Sequence, residues 1–285
     1  MHDKQLSASL TIRLMNTYEE LLAVKELEEI IWASDDPVPL HQTMAAVKHG
    51  GMVIGAFAGE RLVGFQYSFA GFDGEKAYLC SHNLGIHPDY QRGGIGEKLK
   101  LAQQKAAIEK GYDLVSWTYD PLETVNGNLN IRKLGAICST YLENCYGEMT
   151  DILNAGIPSD RFQVEWWIRH PDVTEKLANP RKKREMDAHA KPALQFVINP
   201  QGDPEPQEID LTQEQHDCQL IVAVPSAFQA VKARDFNLAL RWRMETRAVF
   251  KHYFQNGWIV CDFIKSDPIE PVHYYLLEKK GREFL

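Results

Sequence analysis

The stretch Asn83-Leu84-Gly85-Ile86-His87-Pro88-Asp89-Tyr90-Gln91-Arg92-Gly93-Gly94-Ile95-Gly96 decides the reading of this 285-residue chain. It opens as a strand, and Pro88, which has no N–H to give a ladder, ends it. A turn with two adjacent glycines follows. The turn runs into an amphipathic helix expected over about residues 94–110, with Ile95, Leu99, Ala102, Ala106 and Ile108 on the apolar side. Gly111 stands where a helix commonly ends on a left-handed residue. The first N–H groups of such a helix have no internal partner, and the helix dipole favours an anion beside them. Gly93, Gly94 and Gly96 allow the backbone to approach a bulky phosphate closely. Strand, glycine turn and helix start together have the physics of a phosphate site.

Upstream, residues 10–15 are strand-like, and Asn16-Thr17 offers a helix cap with Glu19 and Glu20 in the first turn. Leu21, Leu22, Val24, Leu27, Ile30 and Ile31 follow at helical spacing, and a shorter helix is expected over about residues 40–49. Residues 51–57, 61–70 and 77–87 are three strands with short turns between them, an antiparallel meander. Downstream come a strand over 113–118, a helix over about 122–134 ending at Gly135, and a strand over 136–145. The order β-α-α-β-β-β-α-β-α-β predicts a mixed, mostly antiparallel sheet flanked by helices.

Residues 162–168 (FQVEWWI) alternate as a further strand. The segment around the run Arg181-Lys182-Lys183-Arg184 is charged and poor in apolar residues, and residues 199–216 are rich in Pro, Glu and Gln, as an exposed loop would be. Strand-like runs at 194–198, 220–224, 258–264 and 272–277, with a long helical stretch over 228–255, predict a smaller C-terminal α/β unit. The expected organisation is a domain over 10–170, a charged linker over 171–193 and a subdomain over 194–285.

Composition narrows the class. Hydrophobic residues are 44% and charged residues 25%, ordinary for a globular chain. A net charge of −8 supplies no field that would draw the protein to nucleic acid or an anionic membrane. Five scattered cysteines with no CxxC pair fit reduced thiols, with no metal framework. The opening MHDKQLSASL lacks a signal-peptide core, so a cytoplasmic location is expected.

Gln91, Gly94 and Gly96 fit the pattern Gln/Arg-x-x-Gly-x-Gly/Ala. Six residues are weak alone, since a chain this long shows the pattern by chance about 0.3 times. Set behind a meander and ahead of helix, strand, helix and strand, the motif resembles the pyrophosphate motif of the GNAT superfamily of acyltransferases over about residues 10–170. There is no P-loop, and Gly94-Ile95-Gly96 lacks the third glycine of a dinucleotide fingerprint.

The resemblance implies that free backbone groups of Leu84, Gly85 and Ile86 bind the pantetheine arm of acetyl-CoA or another acyl-CoA, succinyl-CoA among them. Gln91, Arg92, Gly93, Gly94, Ile95 and Gly96 would hold the pyrophosphate, with Asn126 and Asn130 near the family's coenzyme-binding asparagine. It implies direct attack of a small amine, such as an amino acid, on the thioester, with no metal and with a homodimer allowed. Acylation of a protein lysine or N-terminus, and a non-catalytic acyl-CoA sensor, are the other readings. No carboxylate lies between Tyr78 and His87 to act as base, so His82, Asn83 and Glu143 are the candidates. The family's tyrosine ahead of Leu134-Gly135 is missing, since Asn130 and Ile131 stand there. Thr118, Asp120 and Arg161 are candidate acceptor contacts. Asp120 could equally cap a helix, and for Arg161 a structural Asp160–Arg161 turn ahead of an edge strand is the favoured alternative. Arg241, Arg243 and Arg247 are expected on an exposed helix face.

Overall fold

The structure, a computed structural model, describes residues 10–32, 37–91, 93–149, 155–180, 190–207, 209, 211 and 219–279. Arg92, the basic run 181–184 and Cys218 lie outside the described residues. Contacts divide the chain into two compact units: residues 1–117 with 167–169, and residues 118–166 with 170–285.

The first unit contains β1 (Leu10–Leu14), α1 (Tyr18–Trp32), α2 (Leu40–Lys48), β2 (Met52–Ala58), β3 (Arg61–Phe72), β4 (Ala77–Ile86), α3 (Ile95–Glu109) and most of β5 (Leu114–Tyr119). β1 to β4 are antiparallel neighbours in chain order, as the short turns require. α1 starts on a capping box: Thr17 Oγ1 accepts from the Glu20 N–H at 3.3 Å, and Glu20 Oε2 accepts from the Asn16 and Thr17 N–H groups. Its buried stripe, Leu21, Val24 and Leu27, packs with Met15, Val53, Phe65 and Tyr67. Gly85 lets α1 come close to β4, because a Cβ there would lie 2.7 Å from Ile31 Cδ1 and 2.8 Å from Phe65 Cε1.

Two irregularities mark β4. Its parallel pairing with β5 is confined to Leu79–Val115 and Cys80–Ser116, although β4 runs on to Ile86. Its register with β3 shifts between Tyr67–Asn83 and Ser68–Ser81, which leaves His82 as the extra residue of a bulge.

The second unit holds α4 (Thr124–Gly127), β6 (Ile137–Leu142), β7 (Arg161–Trp167), α5 (Pro171–Ala178), β8 (Lys191–Leu194), β9 (Phe196–Ile198), β10 (Pro204–Pro206), β11 (Gln219–Pro225), α6 (Phe228–Arg234), α7 (Phe236–Gln255), β12 (Trp258–Ile264) and β13 (Val272–Lys279). Its strands follow the order β7-β6-β12-β13-β11-β8, with only β11–β8 parallel, while β9 and β10 form their own hairpin.

Several expectations for this unit change. The helix over 122–134 is one short α-helical turn followed by a π-helical stretch, Asn128–Lys133, in which the Leu134 N–H reaches back to Leu129 O. The long helix breaks at Asp235, whose carboxylate accepts from the Leu238 N–H and so caps a new helix. α5 forms within the segment expected as a linker, with Pro171 in its first turn and the His170 ring accepting from the Asp172 N–H. β10 lies in the segment expected as a loop. Among the described residues no helix is long and apolar enough to cross a membrane, and no three His, Cys, Asp or Glu groups could share a metal ion.

Candidate active site

The turn after β4 is built from its own side chains. Pro88–Tyr90 is a single 3₁₀ turn, and the His87 ring nitrogen Nδ1 accepts from the Asp89 N–H at 3.2 Å. Gln91 Nε2 donates to Ile86 O at 3.3 Å and ties the turn to the end of the strand. Gly94 is the N-cap of α3 at φ +72°, a left-handed conformation open mainly to glycine. A Cβ on Gly94 would meet nothing within 4 Å, so the space over the helix start is open. Gln91, Gly93 and Gly94 are exposed, Gly96 is half-buried, and Ile95 and Leu99 anchor the helix in the core. Open space, a left-handed glycine and the partnerless N–H groups of a first helical turn fit a phosphate.

α3 is also held by a polar seam. Gln66 and Gln103 donate to Ser68 Oγ at 2.6 and 2.7 Å, and Lys100 Nζ donates to Ser81 Oγ at 2.8 Å. Lys100 is buried with its ammonium 3.4 Å from the centre of the Trp117 ring, and burial pushes its pKa well down. Burial pushes the neighbouring Cys80 thiol up. Sequence reading counts only the apolar residues of this helix and passes over Lys100 and Gln103, although both share the buried face.

Leu84, Gly85 and Ile86 pair with Gln66, Phe65 and Gly64 on the β3 side. Alternate backbone groups of a strand point to opposite edges, so those aimed at the β5 side lie beyond the Cys80–Ser116 pair.

Next to these residues, α1, α2, β3 and β4 enclose a cleft lined by Val24, Glu28, Val38, Leu40, Tyr67 and Asn83, among others. Asn83 therefore faces the cleft. His82 does not line it; its ring stands edge-on to Tyr67 and tilted against Phe69, and partial burial lowers its pKa. Glu28 is the cleft's carboxylate, 6% exposed. It accepts from Asn83 Nδ2 at 2.7 Å and from the Val38 N–H at 3.4 Å, yet burial still raises its pKa. Sequence reading does not single out Glu28. The signal is its spacing of four and seven residues from Val24 and Leu21, which puts it on the buried face of α1.

The remaining candidates lie in the second unit. Thr118 Oγ1 and Tyr146 Oη are 2.8 Å apart. Asp120 is buried; Oδ1 accepts from the Leu122 N–H at 2.8 Å and Oδ2 from Arg243, with Arg161 at 3.9 Å. Arg161 is buried too, donates to Asp160 O at 2.9 Å and lies over the Tyr146 ring. Arg243, expected on an exposed face, is 1% exposed, because α7 turns it inward onto Asp120. Arg247 makes a two-pronged contact to Asp160 at 2.8 and 2.7 Å, and Tyr141 Oη donates to the same carboxylate at 2.7 Å. Burial alone would push Asp160 up; the hydrogen bonds from Arg247, Asn144 and Tyr141 hold it below the usual carboxylate range. Glu143 is engaged by Lys251 and, at 3.4 Å, by Arg247. Asn126 is exposed, whereas Asn130 is buried in the π-helical stretch. The structure thus gathers residues 82–96 in one unit and Thr118, Asp120, Glu143 and Arg161 in the other.

β4 thus runs on past its parallel pairing with β5 and is followed by a glycine turn at a helix N-terminus. Residues 14–133, somewhat under half of the chain, match the model of the acetyltransferase (GNAT) family. That match assigns an acetyltransferase (GNAT) family domain to residues 14–133. No curated protein matches the chain. Solved structures that it resembles include the ribosomal-protein-S18-alanine N-acetyltransferase of Escherichia coli (17% identity, TM-score 0.46, covering 57% of this chain and 96% of that one). Arabidopsis thaliana Naa50 in complex with a bisubstrate analogue is another (15%, 0.44, 55% and 97%). A third is an aminoglycoside acetyltransferase from an uncultured soil metagenomic sample (22%, 0.36, 42% and 84%). At such identities these likenesses say nothing of this chain's acceptor.

Proposed function

We propose that the chain moves the acyl group of acetyl-CoA or succinyl-CoA onto a small primary amine, with the amine attacking the thioester directly. The observation that carries this reading is the confinement of β4–β5 pairing to two residue pairs, followed within a few residues by the open Gly94 turn. Acyl-CoA supplies an activated acyl group. In this reading the free backbone groups at Leu84–Ile86 hold the pantetheine arm as a neighbouring strand would. The N–H groups from Gly93 to Gly96 hold the pyrophosphate. Fixing both ends of the donor places the thioester beside the bulge at His82, where positioning lowers the barrier.

The test is release of free CoA thiol from acetyl-CoA and succinyl-CoA by the full chain, with small amines, amino acids and lysine- or N-terminus-bearing peptides as acceptors. Thiol release that depends on a small amine is expected. Release only with peptides would replace the small acceptor with a protein, and tight acyl-CoA binding without turnover would make the domain a sensor.

A further inference from the structure

Lys100 stands where β4 and β5 part. Their last pair is Cys80–Ser116, and the next residues of the two strands are Ser81 and Trp117. The Lys100 ammonium touches both, at 2.8 Å from Ser81 Oγ and 3.4 Å from the centre of the Trp117 ring. It is 3% exposed, and no carboxylate pairs with it among the described residues. Ser81 Oγ accepts twice, from Lys100 and, at 3.2 Å, from Gln66 Nε2. Among the described residues no acceptor meets its own O–H. A donor arm laid along Leu84–Ile86 from the Gly94 turn runs back toward this point, and the closed ladder at Cys80–Ser116 stops it there.

We propose that the Ser81 hydroxyl, backed by Lys100, supplies the proton that the CoA sulfur takes up as it leaves. The inference rests on the acyl-transfer reading and adds to it the source of the leaving-group proton. The amine nitrogen forms the N–C bond at the thioester carbonyl, and the C–S bond breaks with its electron pair on sulfur. Ser81 gives its hydroxyl proton to that pair, and the Lys100 ammonium restores the serine. The neutral lysine then takes up, by way of water, the proton that the acceptor nitrogen loses. Amide and free CoA thiol balance the reaction with no proton left over. Ser81 thus meets the sulfur, and Lys100 acts through Ser81 as a positioning residue.

The surroundings favour a proton that is easily given. Burial holds the Lys100 pKa well down, so its ammonium parts with a proton more readily than an exposed lysine would. Gln66 and Ser68 from β3 and Gln103 from α3, the other polar groups of this seam, carry no charge. Cys80 on β4 is the titratable group whose charge reaches Lys100, and burial pushes that thiol up, toward its uncharged form.

The test is calorimetric titration of the full chain with CoA and with desulfo-CoA, which carries hydrogen in place of the thiol, alongside acyl-transfer rates with acetyl-CoA. The wild type should prefer CoA, because Ser81 meets its sulfur. In Ser81→Ala and in Lys100→Met that preference should shrink about fivefold. Desulfo-CoA should bind both variants as it binds the wild type, and kcat should fall about 100-fold. Ser81→Ala is the smaller change to the seam and decides the outcome alone where Lys100→Met does not fold. An unchanged preference in the folded variants overturns the proposal, even where both affinities fall together, as does a wild type without the preference. If the wild type binds neither ligand, the acyl-transfer reading falls and this proposal with it. If it binds and transfers while the variants match it, this proposal alone falls.

Discussion

The two units bury charge in opposite ways. In the second, Asp120 and Asp160 are met by Arg243 and Arg247, with Arg161, Tyr141 and backbone N–H groups completing their shells. In the first, Glu28 has only neutral donors, and Lys100 has a serine hydroxyl and an aromatic face. Parting the pairs of the second unit leaves a charge stranded, although Arg243 Nε and Nη1 themselves find no hydrogen-bond partner among the described residues. The contrast sets Asp120, Arg161 and Glu143 among charged partners and leaves Glu28 with the Asn83 amide and the Val38 N–H.

The largest expected effect is in the paired network. Asp160→Ala removes the shared acceptor of Arg247, Tyr141 and the Asn144 N–H, leaving Arg247 with Glu143 at 3.4 Å, and should cost about 3 kcal/mol or more in unfolding free energy, measured by urea denaturation. Because Asp160 is held below its ordinary pKa, its contribution is full above the unfolded-state value and lost as pH falls through the folded one. The acid side of the wild-type stability curve should carry that loss, and Asp160→Asn should lack it. A mild Asp160→Ala would mean that the network is solvated and the contrast false.

Asp120→Ala comes next. It removes the acceptor for Leu122 N–H and the ion partner of Arg243, so thermal stability should drop sharply. With stability restored by lower temperature, amine KM should change little. A KM raised about tenfold or more at unchanged stability, a loss of about 1.4 kcal/mol in binding, would return Asp120 to the acceptor site.

Tyr141→Phe deletes one hydrogen bond to the Asp160 carboxylate and should cost about 1.5–3 kcal/mol. The smallest effect belongs to the unpaired side. Glu28 has a raised pKa, so its ionisation opposes folding as pH rises through the folded-state value, while below the unfolded value it imposes no such cost. Glu28→Gln should therefore raise Tm near pH 8, with the gain fading toward pH 4. A loss of Tm at pH 8 would show that the ionised carboxylate is compensated after all.

Much of the first unit was legible in the sequence because its signals are local. Gly94 is demanded by a left-handed cap, Pro88 by the end of a ladder, and the Thr17–Glu20 box by the start of α1. The second unit hid more. Asp235 reads as one more polar residue in a helical run until its carboxylate is seen capping α7, and Arg243 reads as surface until Asp120, 123 residues away in sequence, is found beside it. Glu28 was obscured for the same reason: a carboxylate at buried helical spacing reads as an exception until Asn83, 55 residues on, is found donating to it.

Calorimetric titration of acetyl-CoA into the wild-type chain and into Gly94→Glu tests the central claim most directly. The account predicts that the wild type binds and that the variant, folded but carrying a negative side chain in the open space over the helix start, does not. Undiminished binding by folded Gly94→Glu, or none by the wild type, would contradict it.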